Sequence, residues 1–533
     1  MIDNFSNTQV VRKRVVATRG GIVAAQHRRA AEAGASVLEA GGDAIDAAVA
    51  TSFAIGVVEP WMSGPAAGGA MTIWRANDAK AYTIDYGMRS PMALDPADYP
   101  LSGKGKATDL FPWAAVVGDR NVHGAAAIAV PGVVAGMGLA HERFGQIPWQ
   151  ELLQPAINLA DEGLLADWYS GLLMASSART LSLDPDAAAM FLDDGHWPMI
   201  GAWTALTERR IDQRTVADTL RKIAAGGARE FYVGDVARSL VNDIRAKGGC
   251  VSMDDLGSYR ARIVDALEAP YRGGRVFVAP GMTGGPTLAA CLQILARTLT
   301  PKGSIPEGES YLAYASALDE GYRNRLGKFG DNESPEAPSC TTHFSVVDRH
   351  GNLCAVTQTL LSMFGSRVVS PSTGLLMNNG IMWFEPEPGH PNSLGPNKRC
   401  LGNFCPVIGE AADGRRFALG ASGGRKIVGA VLQLASFMMD HGQTLEEAFH
   451  QPRIDMSGGD TVIADIRLGS GVIGALRSKF PVVTTRRTVF PYAFACPAGV
   501  LRDGEWNTGC TEVMSPWGDA VAEGCSGSNT GAG

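Results

Sequence analysis

The chain has 533 residues, with 45% hydrophobic and 19% charged side chains and a formal net charge of −7. That balance suits a globular protein with a large core, and modest acidity without a basic block argues against nucleic-acid binding. No apolar run is long enough to span a bilayer, residues 1–14 carry no apolar signal-peptide core, and the nine cysteines form no CxxC, which argues against a metal cluster or a disulfide framework. The expectation is a cytoplasmic protein with no membrane contact, no metal and no cofactor.

Residues 20–25 read as a short strand. Arg29 to Ala40 has Ala, Glu and Leu at helical spacing, ended by Gly41-Gly42. Asp43 is placed to cap a second helix, and the nearly unbroken small and apolar run from Ala44 to Val58 predicts burial on most sides. Asp43 and Asp46 are read as helix-start chemistry, and Glu59-Pro60 closes the helix. Ser63 to Ala70 is a glycine-rich turn into a strand over Met71 to Trp74. It lacks the GK[ST] ending of a phosphate loop, so it reads as close backbone approach or a wall of a site. Arg89 lies just past the next strand.

Val130-Pro131-Gly132 opens a helix to His141, Gln150 to Glu162 forms another, and 165–265 reads as mostly helical. A strand over Tyr271 to Val278, a turn at Met282 to Pro286, and helices over Thr287 to Thr298 and Ser310 to Leu326 follow. Asn332 to Cys340 is polar and broken by prolines, an exposed loop.

Thr341 to Thr359 reads as a β-hairpin. Two β-rich runs, Phe344 to Val347 and Leu353 to Thr359, flank the turn residues Asp348 to Asn352. A turn centred on His350 sets Val347 against Leu353 and Thr341 against Thr359. Two hydroxyls then stand side by side at a strand end. A cut between Cys340 and Thr341 would give Thr341 a free α-amine able to act as base for its own hydroxyl. The same residues also suit an ordinary Thr-rich hairpin.

Arg367 to Ser370 and Leu375 to Asn378 alternate like strands, and Phe384 to Cys405 is a long loop holding Lys398-Arg399. A strand from Phe417 ends in Gly423-Gly424 at the mouth of a helix over Ile427 to Met439. N–H groups there suit an oxyanion, and a plain glycine turn has the same pattern. The Gly/Ser-rich tail from Ser526 predicts disorder.

Gly41 to Ala50, Val58-Glu59-Pro60, Val130-Pro131-Gly132, Thr283-Gly284-Gly285, Thr341 to Asp348, Lys398-Arg399, Ser422 to Arg425 and Gln451 to Ile454 occur in an order that resembles the gamma-glutamyltransferases, from about residue 15 to about 525. The resemblance implies an N-terminal nucleophile hydrolase of the α+β class with a four-layer αββα sandwich. It implies self-cleavage between Cys340 and Thr341 into a large subunit, 1–340, and a small catalytic subunit, 341–533, which stay together as a heterodimer. By the same likeness Thr341 is the nucleophile, Thr359 orients and activates it, and Gly423 and Gly424 form the oxyanion hole. The reaction is acyl transfer from a small-molecule amide.

Departures fall where the family binds its substrate. Gly87 stands at its carboxylate-binding Arg, with Arg89 two residues on. Leu361 stands at an Asn, and Gly380 and Trp383 stand at the Gln and Asp after Asn378-Asn379. Gly402 and Asn403 replace paired serines. The candidate substrate-binding set is therefore Arg89, Asn379, Trp383, Gly402 and Asn403. The favoured reading is a threonine amidohydrolase acting on a donor that is not strictly γ-glutamyl. An ordinary gamma-glutamyltransferase or glutathione hydrolase is one alternative, and an uncleaved pseudoenzyme that acts as a binding protein is another.

Overall fold

The computed structural model describes residues 10–107, 113–200, 208–329, 341–457 and 459–525. Cys340 and the tail from Ser526 lie outside them. Two seven-stranded sheets form the centre. Their strands, in chain order, are β1 (Val16–Thr18), β2 (Ile22–Ala25), β3 (Gly68–Arg75), β4 (Lys80–Tyr86), β5 (Arg262–Asp265), β6 (Leu267–Tyr271) and β7 (Gly274–Val278). There follow β8 (Thr342–Val347), β9 (Leu353–Thr359), β10 (Val407–Glu410), β11 (Arg416–Ser422), β12 (Cys496–Asp503), β13 (Trp506–Thr511) and β14 (Asp519–Ala522). The first sheet runs β5-β4-β3-β9-β8-β2-β14 and the second β1-β13-β12-β11-β10-β7-β6.

The sheets stack face to face, β8 and β9 against β11. Helices α1 (Arg28–Glu39) and α2 (Ala44–Val58) cover the outer face of the first sheet. Helices α3 (Gly285–Thr298), α4 (Gly308–Phe329) and α5 (Lys426–Met439) cover the second. This is the αββα order, and three cores fill it. Val23, Phe344, Val346 and Val356 pack under Leu38, Val49 and Phe53. Val276, Val278 and Leu419 pack under Leu288, Leu292 and Val431. Between the sheets, Ile22, Val347, Leu353 and Ala355 meet Ile408, Ala418, Ala498 and Val500. Each large apolar side chain so buried contributes about 1.5–3 kcal/mol before the entropy of ordering it. Among the described residues no helix is long and apolar enough to cross a membrane.

Local chemistry explains the elements nearest the site. Asp43 caps α2 by accepting from the N–H groups of Ile45 (2.8 Å) and Asp46 (3.2 Å), and Asp46 accepts in return from Asp43 N–H (3.1 Å). Every residue of α2 is buried, as its apolar sequence requires. The hairpin pairs Val347 with Leu353 and Thr342 with Gln358, so one further step sets Thr341 opposite Thr359. Asp348 locks the turn. Its Oδ1 accepts from His350 N–H (2.9 Å) and Asn352 N–H (3.0 Å), and its Oδ2 from Ala44 N–H at the start of α2 (3.1 Å). Gly351 supplies the left-handed turn position, φ 83°.

Three elements differ from the sequence reading. The run Tyr271 to Val278, read as one strand, is divided between β6 and β7 by a tight turn, where Arg272 and Gly273 take left-handed backbone, φ 53° and 75°. β3 begins at Gly68, inside the predicted glycine turn, because the glycines pair directly with Gln358 and Thr359. The 367–370 and 375–378 segments form only an isolated bridge, Val369 to Leu376. Left-handed backbone at Phe364 and Arg367, φ 62° and 60°, disturbs the pattern before a ladder can form.

Asp348→Ala removes three backbone anchors and leaves the buried Ala44 N–H unpaired. It is expected to lower unfolding stability in urea by about 2–4 kcal/mol. A loss below about 0.5 kcal/mol would contradict the role given to this turn.

Candidate active site at the open end of the hairpin

Strand alternation decides which side chains meet. On the helix side of the hairpin, Thr342 Oγ1 donates to Glu59 Oε2 (3.0 Å), and Ser52 Oγ donates to Gln358 Oε1 (2.8 Å). The odd-numbered residues face the second sheet. His343 lies between Thr357 Oγ1 (2.9 Å) and Ser345 Oγ (3.0 Å), with its ring against Gly420, where a Cβ would sit 2.3 Å away. Thr341 and Thr359 continue this face, and both are buried. Thr359 Oγ1 accepts from Leu361 N–H (2.8 Å), which holds the chain as it leaves β9. Leu361 adopts φ 90°, a conformation an L side chain takes only under constraint.

Gly423 and Gly424 lie at this same end. Gly420 stacks on His343, and Ser422 Oγ accepts from Gln26 Nε2 (2.7 Å), the residue one step past the Ala25–Phe344 pair. Gly423 and Gly424 have φ 132° and 54° and precede α5. Among the described residues neither N–H donates to another acceptor. That geometry leaves two amides at a helix mouth for a developing negative charge.

Burial sets the electrostatics. Glu59, at the C-cap of α2, has its pKa raised to about 7 by desolvation, opposed only by the Thr342 hydrogen bond. His343 is lowered to about 3 by desolvation, so it is a neutral inter-sheet spacer near neutral pH. Arg325 donates to the Thr283 carbonyl (2.7 Å), the Gly402 carbonyl (2.9 Å) and Asn403 Oδ1 (3.3 Å), and burial lowers its pKa to about 10.

The candidate substrate-binding residues divide. Trp383 joins an apolar cluster with Met88, Leu361, Ile381, Met382, Phe384 and Phe404, and its ring meets Phe404 edge-on at 5.2 Å. The cluster reaches the hairpin because Met88 lies on Gly68, the partner of Thr359. Gly402 and Asn403 form the loop held by Arg325. Asn379 is committed internally. Its Oδ1 accepts from Ser362 N–H (3.0 Å), and its Nδ2 donates to Ser362 Oγ (2.8 Å) and the Val122 carbonyl (3.1 Å). Arg89 is engaged elsewhere, on Ser258 Oγ (2.8 Å) and the Asp255 carbonyl (3.3 Å). Alternation turns Met88, not Arg89, into the apolar cluster.

Burial shifts both Glu59 and His343, and neither is singled out as a site residue by the sequence reading. The signals for Glu59 are its place in the Val58-Glu59-Pro60 block and its position as a lone acid between an apolar helix and Pro60-Trp61. Among the described residues, Glu385, Glu387 and His390 form one group with ligand atoms within 4.8 Å of one another, and the last two are exposed.

A family model for gamma-glutamyltranspeptidase matches residues 30–340 and 335–490. The chain belongs to the gamma-glutamyltranspeptidase family. It is an enzyme of that family. It is 33% identical over 479 residues to an acylase ACY 1 proenzyme from Pseudomonas sp. (strain SE83), covering 82% of this chain and 83% of that protein. A glutathione hydrolase proenzyme from Pseudomonas sp. (strain A14) is 32% identical over 489 residues, covering 82% of each. In fold, the chain matches a cephalosporin acylase from Bacillus halodurans with a TM-score of 0.83 and 24% identity, over 98% of this chain and 99% of that one. The antiparallel αββα architecture is that of the gamma-glutamyltranspeptidase family.

Two outcomes test this geometry. Gly423→Ala places a Cβ 2.9 Å from Ala495 Cα at a left-handed φ, so a stability loss of about 1–3 kcal/mol is expected in thermal unfolding. No loss would contradict the backbone described. Glu59 has a folded pKa above its unfolded value, so the folded state holds the extra proton. Its contribution is intact at about pH 4.5 and below, and declines as pH rises to about 7. Glu59→Gln should therefore raise stability at pH 8 over wild type by up to about 3 kcal/mol, with little difference at pH 4.5. Parallel stability-against-pH curves would refute that.

Proposed function

We propose that this protein is a self-processing threonine amidohydrolase. The chain cuts itself between Cys340 and Thr341, and 1–340 and 341–533 remain together as a two-subunit enzyme. Thr341 Oγ attacks the amide carbonyl of a small substrate, and its α-amine takes the proton. Thr359 orients the nucleophile. Gly423 and Gly424 N–H groups receive the oxyanion. The amine leaves, and water or a second amine releases the acyl group. The observation that carries this reading is the shared inter-sheet face of Thr341 and Thr359, at the end of the sandwich where Gly423 and Gly424 sit. Family membership and relatives described as proenzymes support it.

The acyl donor we infer does not depend on a charged α-amine. A buried ammonium needs a paired anion or several acceptors. Leu361 and Trp383 instead form part of an apolar cluster. The relatives described as acylases favour such a donor. A γ-glutamyl donor is the second reading, favoured by the glutathione hydrolase relative at similar identity.

Denaturing mass spectrometry and N-terminal sequencing should find a small fragment that starts at Thr341. Thr341→Ala should give one uncut, inactive chain. A fragment that starts elsewhere would sink the assignment. Thr359→Ala should fold but process and turn over slowly, and wild-type rates in that variant would remove its role. For the donor, initial rates on a glutaryl anilide and the matching γ-glutamyl anilide separate the readings. A strong preference for the γ-glutamyl compound would return the protein to ordinary gamma-glutamyl chemistry.

A further inference from the structure

We propose that Glu59 is a positioning residue for the nucleophile, acting on Thr341 through Thr342. The inference rests on the reading of Thr341 as the nucleophile. Glu59 is 4% exposed and sits where α2 ends against β8. Its carboxyl accepts from Thr342 Oγ1 at 3.0 Å, and Thr342 follows Thr341 directly. A cut at Cys340–Thr341 would make Thr341 a chain terminus, and termini fray unless something ties them down. Thr342 carries two ties. One is the ladder pair with Gln358, on its own sheet. The other is the Glu59 bond, which reaches to the helix layer. The ladder sets the height of the strand end. The side-chain bond fixes the placement of the peptide between Thr341 and Thr342, and so the α-amine relative to its own hydroxyl.

The charge of Glu59 acts on the same amine. Its surroundings are poor in ions. β8 contributes the Thr342 hydroxyl, and the first residue of β12 contributes the Cys496 thiol, whose pKa the Glu59 carboxyl helps to raise. α2 has no basic residue in its last turn. The negative end of the helix dipole and burial together favour the neutral carboxyl, which titrates at about 7. An anionic Glu59 favours the ammonium form of the Thr341 α-amine, which cannot serve as base, and a neutral Glu59 relieves that.

The experiment uses the processed enzyme. Peptide mapping first confirms, on wild type, that an acyl group is trapped on the fragment that starts at Thr341. If no such adduct forms, the nucleophile reading has failed, and this inference with it. Given the adduct, kcat and KM are measured from pH 5 to 9 for wild type, Glu59→Gln, Glu59→Ala and Thr342→Ser. Glu59→Gln keeps an acceptor without the charge, so the acid limb of kcat should move down by about half a pH unit or more. Glu59→Ala loses the tie as well and should lose about tenfold or more in kcat with KM little changed. Thr342→Ser keeps the hydroxyl and should keep the wild-type profile. If Glu59→Ala does not fold, Thr342→Val breaks the same bond from the strand side and should show the same loss in kcat. Wild-type kcat and an unshifted acid limb in Glu59→Gln, together with wild-type kcat in Glu59→Ala or Thr342→Val, would overturn the proposal.

Discussion

The site depends on one register. Thr342 pairs with Gln358 and Val347 with Leu353 at the centre of the first sheet. A slip by one residue would turn every side chain of the hairpin to the opposite face. Thr341 would then point into the helix layer, and Thr342 would take its place between the sheets. Three features prevent it. Asp348 fastens the turn to itself and to α2. His343 fits only beside Gly420, between two hydroxyls. Val347, Leu353 and Ala355 fill a thin inter-sheet core. The precision of the site comes from packing around the strand.

The two halves of the site are built differently. The end that holds Thr341, Thr359 and Gly423-Gly424 rests on regular strands and one helix mouth. The side that would meet the acyl group is irregular. Leu361 sits at φ 90°, Trp383 lies in a short 3-10 turn, and Gly402-Asn403 hang on the buried Arg325. Loops and turns of this kind can change without disturbing the sheets beneath them. A fixed sheet frame with a variable wall is a physical basis for one family holding relatives described as acylases and relatives described as glutathione hydrolases.

Local features were legible in the sequence. The Asp43 capping box, the buried α2 and the hairpin with its register follow from spacing and turn chemistry. The αββα order came from resemblance to a family, because periodicity alone does not say which sheet a strand joins. Features set by distant contacts were not legible. Strand character in 367–370 and 375–378 was overruled by left-handed backbone at Phe364 and Arg367. Arg89 reaches Ser258 Oγ and the Asp255 carbonyl while its neighbour Met88 fills the apolar cluster, contacts that local spacing does not encode. The unusual state of Glu59 arises from helix, strand and the Cys496 segment meeting over it, residues hundreds of positions apart.

The central claim is that Thr341 carries the acyl group. The direct measurement is rapid acid quench during turnover of a slow glutaryl or γ-glutamyl amide, followed by mass mapping of the small subunit. The account predicts an added acyl mass on the N-terminal peptide that begins at Thr341, and none when Thr341 is changed to Ala. An acyl group on any other residue, or turnover by the Thr341→Ala chain, would contradict it.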